Sequence, residues 1–198
     1  MMILRSTPPS PFGRKIRLAA SVLGLSGDIK VEPADTNDAG DPLRRQNPIG
    51  KIPTLVLEDG ATLFDSRVIL EYLDHRAGGG KIIPNETKAR FAALRLQALA
   101  DGMTDAQILL IYEGRFRPPE HHVKKWTDYQ ADKIKRGLAA LEADPPSLDP
   151  TPNVGQIPAP KYTTPSLMTG PPRTGQNETR CPLPIWRRSG RSWGAPRN

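Results

Sequence analysis

Two serines in this chain stand at the start of a helical pattern, where a hydroxyl can act on an anion. Ser10 precedes Pro11, a pair typical of an N-cap followed by proline at the first helical position. Ser66 follows Asp65 and begins the pattern SRVILEYLDHRA. The free N–H groups and the dipole at a helix N-terminus favour an anion. Each position also has a purely structural interpretation as a helix cap, and a cap oxygen that accepts leaves its proton free to donate.

A proline lies at the entrance to a predicted strand. Residues 54–57 (TLVL) and 61–64 (ATLF) read as two short strands, joined by the turn signal Glu58-Asp59-Gly60. Pro53 cannot donate a ladder hydrogen bond, and a sheet tolerates proline only at edges, strand starts or bulges. The local pattern leaves open whether Pro53 is an ordinary strand-entry residue or has a further role.

Metal, phosphate and disulfide chemistry find little support in the sequence. The histidines His75, His121 and His122 have no third ligand at a spacing typical of zinc sites. Residues 78–80 are glycines followed by Lys81, but they lack the spacing and the preceding strand of a phosphate-binding loop. Cys181 is the only cysteine, so no intramolecular disulfide can form. We therefore expect a protein without a metal cofactor.

The elements that must position these residues alternate between strand and helix over the first 80 residues. Their order, β-α-β-α-β-β-α, predicts a parallel unit followed by an antiparallel hairpin. After the linker GGGKIIPNE the pattern is helical only, first TKARFAALRLQALADGMTDAQILLIYEGRF and then HHVKKWTDYQADKIKRGLAALEA. The second of these helices is expected to bury the face that bears Trp126, Tyr129, Ile134, Leu138 and Leu141. The expected fold class is an α/β domain followed by an all-helical one.

The last 55 residues differ in composition from the rest of the chain. Proline and glycine make up 17 of them, a share typical of segments that form no packed core. Seven lysines and arginines against three acidic residues give this segment +4 of the formal charge of +7. The arginines are scattered without interleaved aromatic residues, which favours a solvated tail over a surface for nucleic acid or membranes. We predict that residues 158–198 are disordered.

The stretch RQNPIGKIPTLVLEDGATLFDSRVILEYL resembles the glutathione-binding part of glutathione transferases over its whole length. The resemblance implies a thioredoxin-like domain in which the Ile52-Pro53 bond is cis, a form that costs only about 0.5–1 kcal/mol before proline. It implies that the Ile52 backbone beside Pro53 pairs with the cysteine of glutathione. It further implies that Ser66 meets the γ-glutamyl carboxylate, Asp65 the adjacent ammonium and Lys51 the glycyl carboxylate.

A second match lies at the first helix. The run SPFGRKIR resembles the C-P-F-x-x-[RK] run of omega-type transferases, with serine in place of cysteine, and equally the serine-bearing loop of zeta-type enzymes. Both comparisons imply that Ser10 donates a hydrogen bond to the glutathione sulfur and favours the thiolate. Phe12, in the same run, falls among the glutathione-binding positions. Ser6 and Thr7 are rival hydroxyls in the preceding loop.

Asp101, in the run LADGMTD, lies on the first helix of the helical half. Several transferase classes have an aspartate there, and the resemblance implies that Asp101 reaches across a homodimer to the glutathione ammonium. The alternatives are a solvated side chain or an ion pair within its own helix.

The resemblance covers residues 2–157 and is closest to bacterial beta-like transferases, whose helical half reads like ALADGMTDA and YEGRFRP in this chain. TPNVGQI is similar to the start of the sixth helix of the family, with Asn153 and Gln156 forming a capping box. Nothing after Pro158 resembles the family, and a reading-frame change and a natural divergent tail both stay open. The implied domains are residues 1–80, thioredoxin-like and glutathione-binding, residues 86–157, a partial helical domain, and the tail 158–198.

The implied function is a transferase that uses glutathione as co-substrate, without a metal, and attacks small hydrophobic electrophiles. The alternatives are a non-catalytic transferase-like interaction module, a defective product of a shifted reading frame and, more distantly, a nucleic-acid-binding protein. The opening MMILRS is too short for the apolar region of a signal peptide, and no apolar run approaches the length of a membrane span. We expect a cytoplasmic homodimer with no nucleic-acid or membrane partner.

Overall fold

A four-stranded sheet forms the centre of the first half of the chain in the structure, a computed structural model that describes residues 1–147 and 150–158. Its strands are β1 (Met2–Arg5), β2 (Ile29–Glu32), β3 (Thr54–Val56) and β4 (Thr62–Leu63). They lie in the order β2-β1-β3-β4, with β1 parallel to β2 and β3 antiparallel to both of its neighbours. The predicted parallel unit and hairpin are confirmed.

Three helices complete this half: α1 (Pro11–Val22), α2 (Leu43–Gln46) and α3 (Ser66–Arg76). α1 and α3 pack on the sheet and share its core, because their apolar residues recur at helical spacing. Fully buried members of that core include Leu4, Ile16, Leu55, Ile69 and Leu73. The observed order of elements is the predicted β-α-β-α-β-β-α, a thioredoxin-like arrangement.

A buried aspartate shapes the linker that leaves α3. The carboxylate of Asp74 accepts hydrogen bonds from the backbone N–H groups of Gly80, Lys81 and Ile82 at 2.9, 3.0 and 2.7 Å. The glycines at positions 78–80 all have positive φ, a conformation that favours glycine. The linker therefore turns back on the end of α3, and Ile82 and Ile83 enter the core.

Two long helices, α4 (Thr87–Phe116) and α5 (Lys124–Ala143), make up the helical half. They approach closely at Gly137, where a methyl group would lie 2.3 Å from the sulfur of Met103. Glycine at position 137 thus leaves the space that the Met103 side chain of α4 occupies. Although α4 has 30 residues, neither it nor another described helix is long and apolar enough to cross a membrane.

The predicted buried face of α5 is partly wrong. Ile134 is buried and Leu138 and Leu141 are half-buried, but the exposed fractions are 40% for Trp126 and 54% for Tyr129. The residues of α5 that are buried are Gln130, Ile134 and Gly137. Tyr129 lies one residue, and therefore about 100°, away from this line on the helix. Trp126 lies in the first turn of α5, where its ring centroid is 6.2 Å from that of Tyr129.

The short segment 150–158 contains the predicted capping box. The Asn153 N–H donates to Gln156 Oε1 at 2.6 Å, and Asn153 Oδ1 accepts from the N–H groups of Gly155 and Gln156. Val154 and Ile157 are buried in the core. The segment is a turn whose Val154 N–H donates to the Ile82 carbonyl in the linker. Of the predicted disordered tail 158–198 the structure describes Pro158, which is half-buried in this turn, and residues 159–198 lie outside the described residues.

Candidate functional site

The N-terminus of α1 has the predicted cap. Ser10 is buried in extended backbone, and its Oγ accepts a hydrogen bond from the Gly13 N–H at 3.1 Å. Within the described residues the Ser10 hydroxyl donates to no acceptor. The cap uses the oxygen as an acceptor, so the O–H can still donate to a ligand at this helix end, where the dipole favours an anion.

The two rival hydroxyls have different surroundings. Ser6 is buried, and its Oγ donates to the Thr7 carbonyl at 3.4 Å. A methyl group at Gly13 would lie 1.8 Å from Ser6 Oγ, so glycine at position 13 lets the first turn of α1 approach Ser6. Thr7 is half-buried, and its carbonyl also accepts the Ser10 N–H at 3.1 Å. Ser6 therefore has an internal acceptor that Ser10 lacks.

The Ile52-Pro53 peptide bond is cis, as predicted. Pro53 is buried at the entrance to β3, and Ile52 is half-buried. Neither the N–H nor the C=O of Ile52 has a hydrogen-bond partner among the described residues. Two unpaired backbone groups beside a strand are what an extended peptide needs in order to pair as an additional strand.

A residue that sequence reasoning missed holds the turn before Ile52. Asn47 is buried; its Nδ2 donates to the Lys51 carbonyl at 2.9 Å and to Thr54 Oγ1 at 3.2 Å, while its Oδ1 accepts from the Ile49 N–H at 3.0 Å. Both ends of the amide thus fix the path of residues 47–54. The Asn47-Pro48 pair is a typical turn signal, but the sequence gives no sign that its side chain spans to Lys51.

Asp65 and Ser66 begin α3 as predicted. Asp65 is exposed, and its Oδ1 accepts from the Arg67 N–H at 2.9 Å; the Phe64-Asp65 peptide bond is also cis. Ser66 is buried, and neither its N–H nor its hydroxyl has a partner in the described part of the chain. One oxygen of Asp65 serves as the cap, which leaves the other oxygen and both Ser66 donors available to a ligand.

Two further predicted binding residues lie on the same loops. Lys51 is exposed and directly precedes Ile52. Phe12 is half-buried in the first turn of α1, and the centroid of its ring lies 5.3 Å from the Lys15 ammonium, a distance at which a cation is attracted to a ring face.

Asp101 belongs to a buried ion cluster that joins the two halves of the chain. Its Oδ1 accepts from Lys15 Nζ at 2.7 Å and its Oδ2 from Arg67 Nε at 3.1 Å. The side chains of Lys15 and Asp101 are each 2% exposed, whereas that of Arg67 is 54% exposed. Asp101 is therefore neither solvated nor paired within its own helix, the two alternatives that the sequence suggested.

The partners of Asp101 bear on its predicted role. Both of its oxygens are bonded within the chain, so reaching a ligand across a dimer would require Asp101 to release one of these bonds. The contact of Asp101 with a ligand across a dimer stays a prediction. The sequence did not indicate Lys15 as the partner of Asp101, because the two residues lie 86 positions apart. Lys15 appeared only as a member of the run SPFGRKIR.

Burial and neighbouring charges shift the pKa values of three groups in and beside this cluster. Burial lowers the pKa of Lys15, and the charge and hydrogen bond of Asp101 oppose this effect. The hydrogen bond to Asp101 raises the pKa of Arg67. Burial, followed by the charge of Asp101, raises the pKa of the neighbouring Asp105. Lys15 and Arg67 share the carboxylate of Asp101 near the starts of α1 and α3, and the charges of Asp65 and Asp105 also act on this cluster.

The histidines do not form a metal site in the described part of the chain. His75 is exposed in the last turn of α3, and His122 Nε2 lies 3.0 Å from the Arg117 carbonyl oxygen. Over residues 1–147 and 150–158 no group of three or more His, Cys, Asp or Glu side chains could hold a metal ion.

Comparison with protein families and curated proteins gives consistent matches. Residues 9–76 match the family model described as "Glutathione S-transferase, N-terminal domain". The uncharacterized GST-like protein YibF of Escherichia coli K12 is 32% identical over 133 residues, which cover 67% of this chain and 64% of YibF. A stringent starvation protein A homolog of Coxiella burnetii is 36% identical over 90 residues, 46% of this chain and 42% of that protein. The chain therefore spans less than two thirds of either curated relative.

Solved structures match a larger share of the chain. A glutathione transferase family member from Pseudomonas fluorescens Pf-5, crystallised with bound glutathione, is 42% identical, with a TM-score of 0.69 over 73% of this chain and 71% of that one. A glutathione S-transferase from Methylobacillus flagellatus KT, with glutathione bound, is 36% identical, with a TM-score of 0.73 over 80% of this chain and 79% of that one.

Proposed function

The chain belongs to the glutathione S-transferase family, and we propose that it binds glutathione and activates the thiol for attack on small hydrophobic electrophiles. The observation that carries this proposal is the pair of open hydrogen-bonding positions at Ile52 and Ser66, on the segments that lead into β3 and α3. The glutathione bound in the two solved relatives supports the same tripeptide as the ligand of this chain.

The γ-glutamyl end of glutathione has a carboxylate and an ammonium on one carbon, which match Asp65 and Ser66. The N–H and hydroxyl of Ser66 donate to the carboxylate, at the start of an 11-residue helix whose dipole favours negative charge. The Asp65 oxygen that is not used in the cap accepts from the ammonium. Arg67, the next residue, is bonded to Asp101, so the start of α3 is fixed before the ligand arrives.

The middle and the far end of the tripeptide meet the turn before β3. The N–H and C=O of Ile52 pair with the backbone of the cysteine, in the manner of an added strand. Pro53 has no N–H, which ends this pairing after one residue. The ammonium of Lys51 meets the glycyl carboxylate, and Asn47 holds the carbonyl of Lys51.

The thiol lies at the N-terminus of α1 in this proposal. The Ser10 hydroxyl donates to the sulfur, and Phe12 borders it. A hydrogen bond to a charged group contributes about 1.5–3 kcal/mol, which lowers the thiol pKa by about one to two units. The α1 dipole adds to the effect. The proton leaves to solvent, and the thiolate forms a bond to the electrophilic carbon while the leaving group departs with its electron pair.

Calorimetric titration of glutathione into the purified, monodisperse chain tests the binding site. We expect Asp65→Ala to weaken binding at least about tenfold, because a charge-assisted hydrogen bond worth about 1.5–3 kcal/mol is lost. Asp59→Ala is the matched control, since Asp59 caps the exposed β3–β4 turn through the Ala61 N–H. Absence of glutathione binding by the unmodified chain, or equal binding by the Asp65 variant, contradicts the proposal.

Catalysis needs a separate measurement. Turnover of a dinitrobenzene electrophile by the same preparation distinguishes a transferase from a protein that only binds glutathione. We also propose that the chain forms a homodimer, as its family resemblance implies, and light scattering on that preparation tests this.

A further inference from the structure

Hydrogen bonds to the Asp41 carboxylate anchor the segment between β2 and β3. Asp41 Oδ1 accepts from Arg5 Nη2 at 2.8 Å and from the Leu43 N–H at 2.7 Å, and its Oδ2 accepts from the Asp35 N–H at 2.8 Å. One carboxylate therefore joins the end of β1, the loop that follows β2 and the start of α2.

Arg5 makes this connection firm because its charge is largely shielded from water. Its side chain is 11% exposed, and its Nη1 lies 3.5 Å from Glu32 Oε2 on β2. The guanidinium thus lies between two carboxylates, a geometry that its planar fork of donors suits. The backbone bonds from Asp35 and Leu43, and then the charge of Arg5, hold the pKa of Asp41 below its usual value.

A continuous series of hydrogen bonds leads from Asp41 to the candidate site. Asp41 fixes the N–H of Leu43, the Leu43 carbonyl accepts the Asn47 N–H at 2.7 Å, and the Asn47 side chain donates to the Lys51 carbonyl at 2.9 Å. The path of the loop as far as Lys51 therefore depends on the anchor at Asp41, whereas Ile52 is followed directly by Pro53 and β3.

The same segment contains Arg44, a cation that lines a cavity. A cavity of about 280 Å³ is lined by Thr36, Arg44, Pro48, Ile49 and Gly50. Gly50 has φ 66°, and a methyl group there would contact the Arg44 side chain at 3.6 Å. Arg44 is exposed, and its guanidinium has no hydrogen-bond or ion-pair partner among the described residues. Guanidinium donors are well suited to a carboxylate.

We infer that Arg5 and Asp41 are positioning residues that hold residues 35–51 as the contact surface for the glycyl end of glutathione. The inference rests on the proposed function, in which Ser66 binds the γ-glutamyl end and Ile52 the cysteine. An extended peptide advances about 3.3–3.6 Å per residue, and with its first residue at Ser66 and its second at Ile52 the inference assigns its third to the preceding loop, beside Lys51 and the cavity. Arg5 and Asp41 do not touch the peptide and act through α2 and Asn47.

The test compares glutathione with γ-glutamylcysteine, which lacks the glycine, by calorimetry on the full chain. We expect Asp41→Asn to weaken glutathione binding about fivefold, equivalent to about 1 kcal/mol, and γ-glutamylcysteine binding by less than about twofold. Arg5→Lys is the second variant, since it keeps the charge but a single ammonium cannot bond both carboxylates in the same way. Asp38→Asn is the matched control, because Asp38 lies in the same loop and caps only the Gly40 N–H.

Each outcome separates this inference from the proposed function. The positioning role is supported if both variants lose affinity for glutathione but not for γ-glutamylcysteine, and the control loses neither. If Asp41→Asn does not fold, the same selective loss in Arg5→Lys alone supports it. Equal loss for both peptides, no loss, or the same loss in the Asp38 control overturns the inference and leaves the proposed function intact. Failure of the unmodified chain to bind either peptide contradicts both.

Discussion

The first 80 residues and the α4–α5 hairpin use their buried polar groups differently. In the first half, Asn47 and Asp74 bond mainly to nearby backbone and fix the loops around the sheet. In the helical half, Asp101 bonds to side chains that come from α1 and α3, 86 and 34 positions away. The first half therefore shapes the loops of the candidate site through bonds to nearby backbone together with the Arg5–Asp41 pair, and the second half supports it through the long-range carboxylate of Asp101.

The largest expected effect follows from removing that carboxylate. Asp101→Ala leaves the Lys15 ammonium buried without a partner, which we expect to lower the free energy of unfolding by about 3–5 kcal/mol. Urea unfolding measures the change. Adding Lys15→Met should restore part of the stability, because the unpaired charge is then gone.

A surface ion pair on α5 provides the control. Asp132 pairs with Arg136, and both side chains are more than half exposed, so Asp132→Ala should change stability by less than about 1 kcal/mol. If Asp101→Ala costs no more than Asp132→Ala, the cluster does not hold the two halves together.

The Asp101 variant should also respond to pH. Burial keeps the pKa of Lys15 below that of an exposed lysine, so between the two values the unfolded chain binds more protons and stability rises with pH. Loss of Asp101 removes two influences that raise this pKa, and the window then extends towards neutrality. The deficit of Asp101→Ala relative to the unmodified chain should be smaller at about pH 9.5 than at about pH 7. A deficit that grows with pH would contradict a buried cation as its cause.

The next effect tests the corrected buried face of α5. Ile134 is 7% exposed, so Ile134→Ala should cost about 2–5 kcal/mol through lost burial and the cavity that it leaves. Tyr129 is 54% exposed, and Tyr129→Ala should cost less than about 1 kcal/mol. Similar costs for the two variants in urea unfolding would mean that Tyr129 is covered in solution.

The smallest expected stability changes come from alanine substitutions at two glycines of the helical half. Gly137→Ala forces a methyl group against Met103 and should cost about 1–3 kcal/mol. Gly102 lies in α4 with open space around it, so Gly102→Ala should stabilise by up to about 1 kcal/mol through helix propensity alone. Thermal unfolding of both variants measures the difference. Two changes of the same sign would argue against close packing of α4 and α5 at Gly137.

The parts of the fold predicted from sequence are those with short-range signals. Ser10-Pro11 and Asp65-Ser66 identify helix starts because capping depends on residues within one turn. The Asn153–Gln156 capping box was readable for the same reason. The cis bond before Pro53 was expected through the family resemblance, since the local pattern alone left the role of Pro53 open.

The parts that were missed depend on pairs distant in sequence. Nothing in the run around Lys15 indicates Asp101 as its partner, and Arg5 at the end of a strand gives no sign of Asp41. The buried face of α5 was misassigned because periodicity identifies an apolar stripe but not which of its residues a neighbouring element covers. Trp126 and Tyr129 lie in the first turns of α5, outside the buried line that begins at Gln130.

The central claim is that the first half binds glutathione and stabilises its thiolate through Ser10. The most direct test is the thiolate absorbance of bound glutathione as a function of pH, for the unmodified chain, Ser10→Ala and the control Ser6→Ala. We predict a thiol pKa below that of free glutathione, raised by about one unit in Ser10→Ala for each 1.4 kcal/mol of hydrogen bond lost, and unchanged in Ser6→Ala. An identical titration curve in Ser10→Ala would contradict the claim and leave Ser10 as a helix cap only.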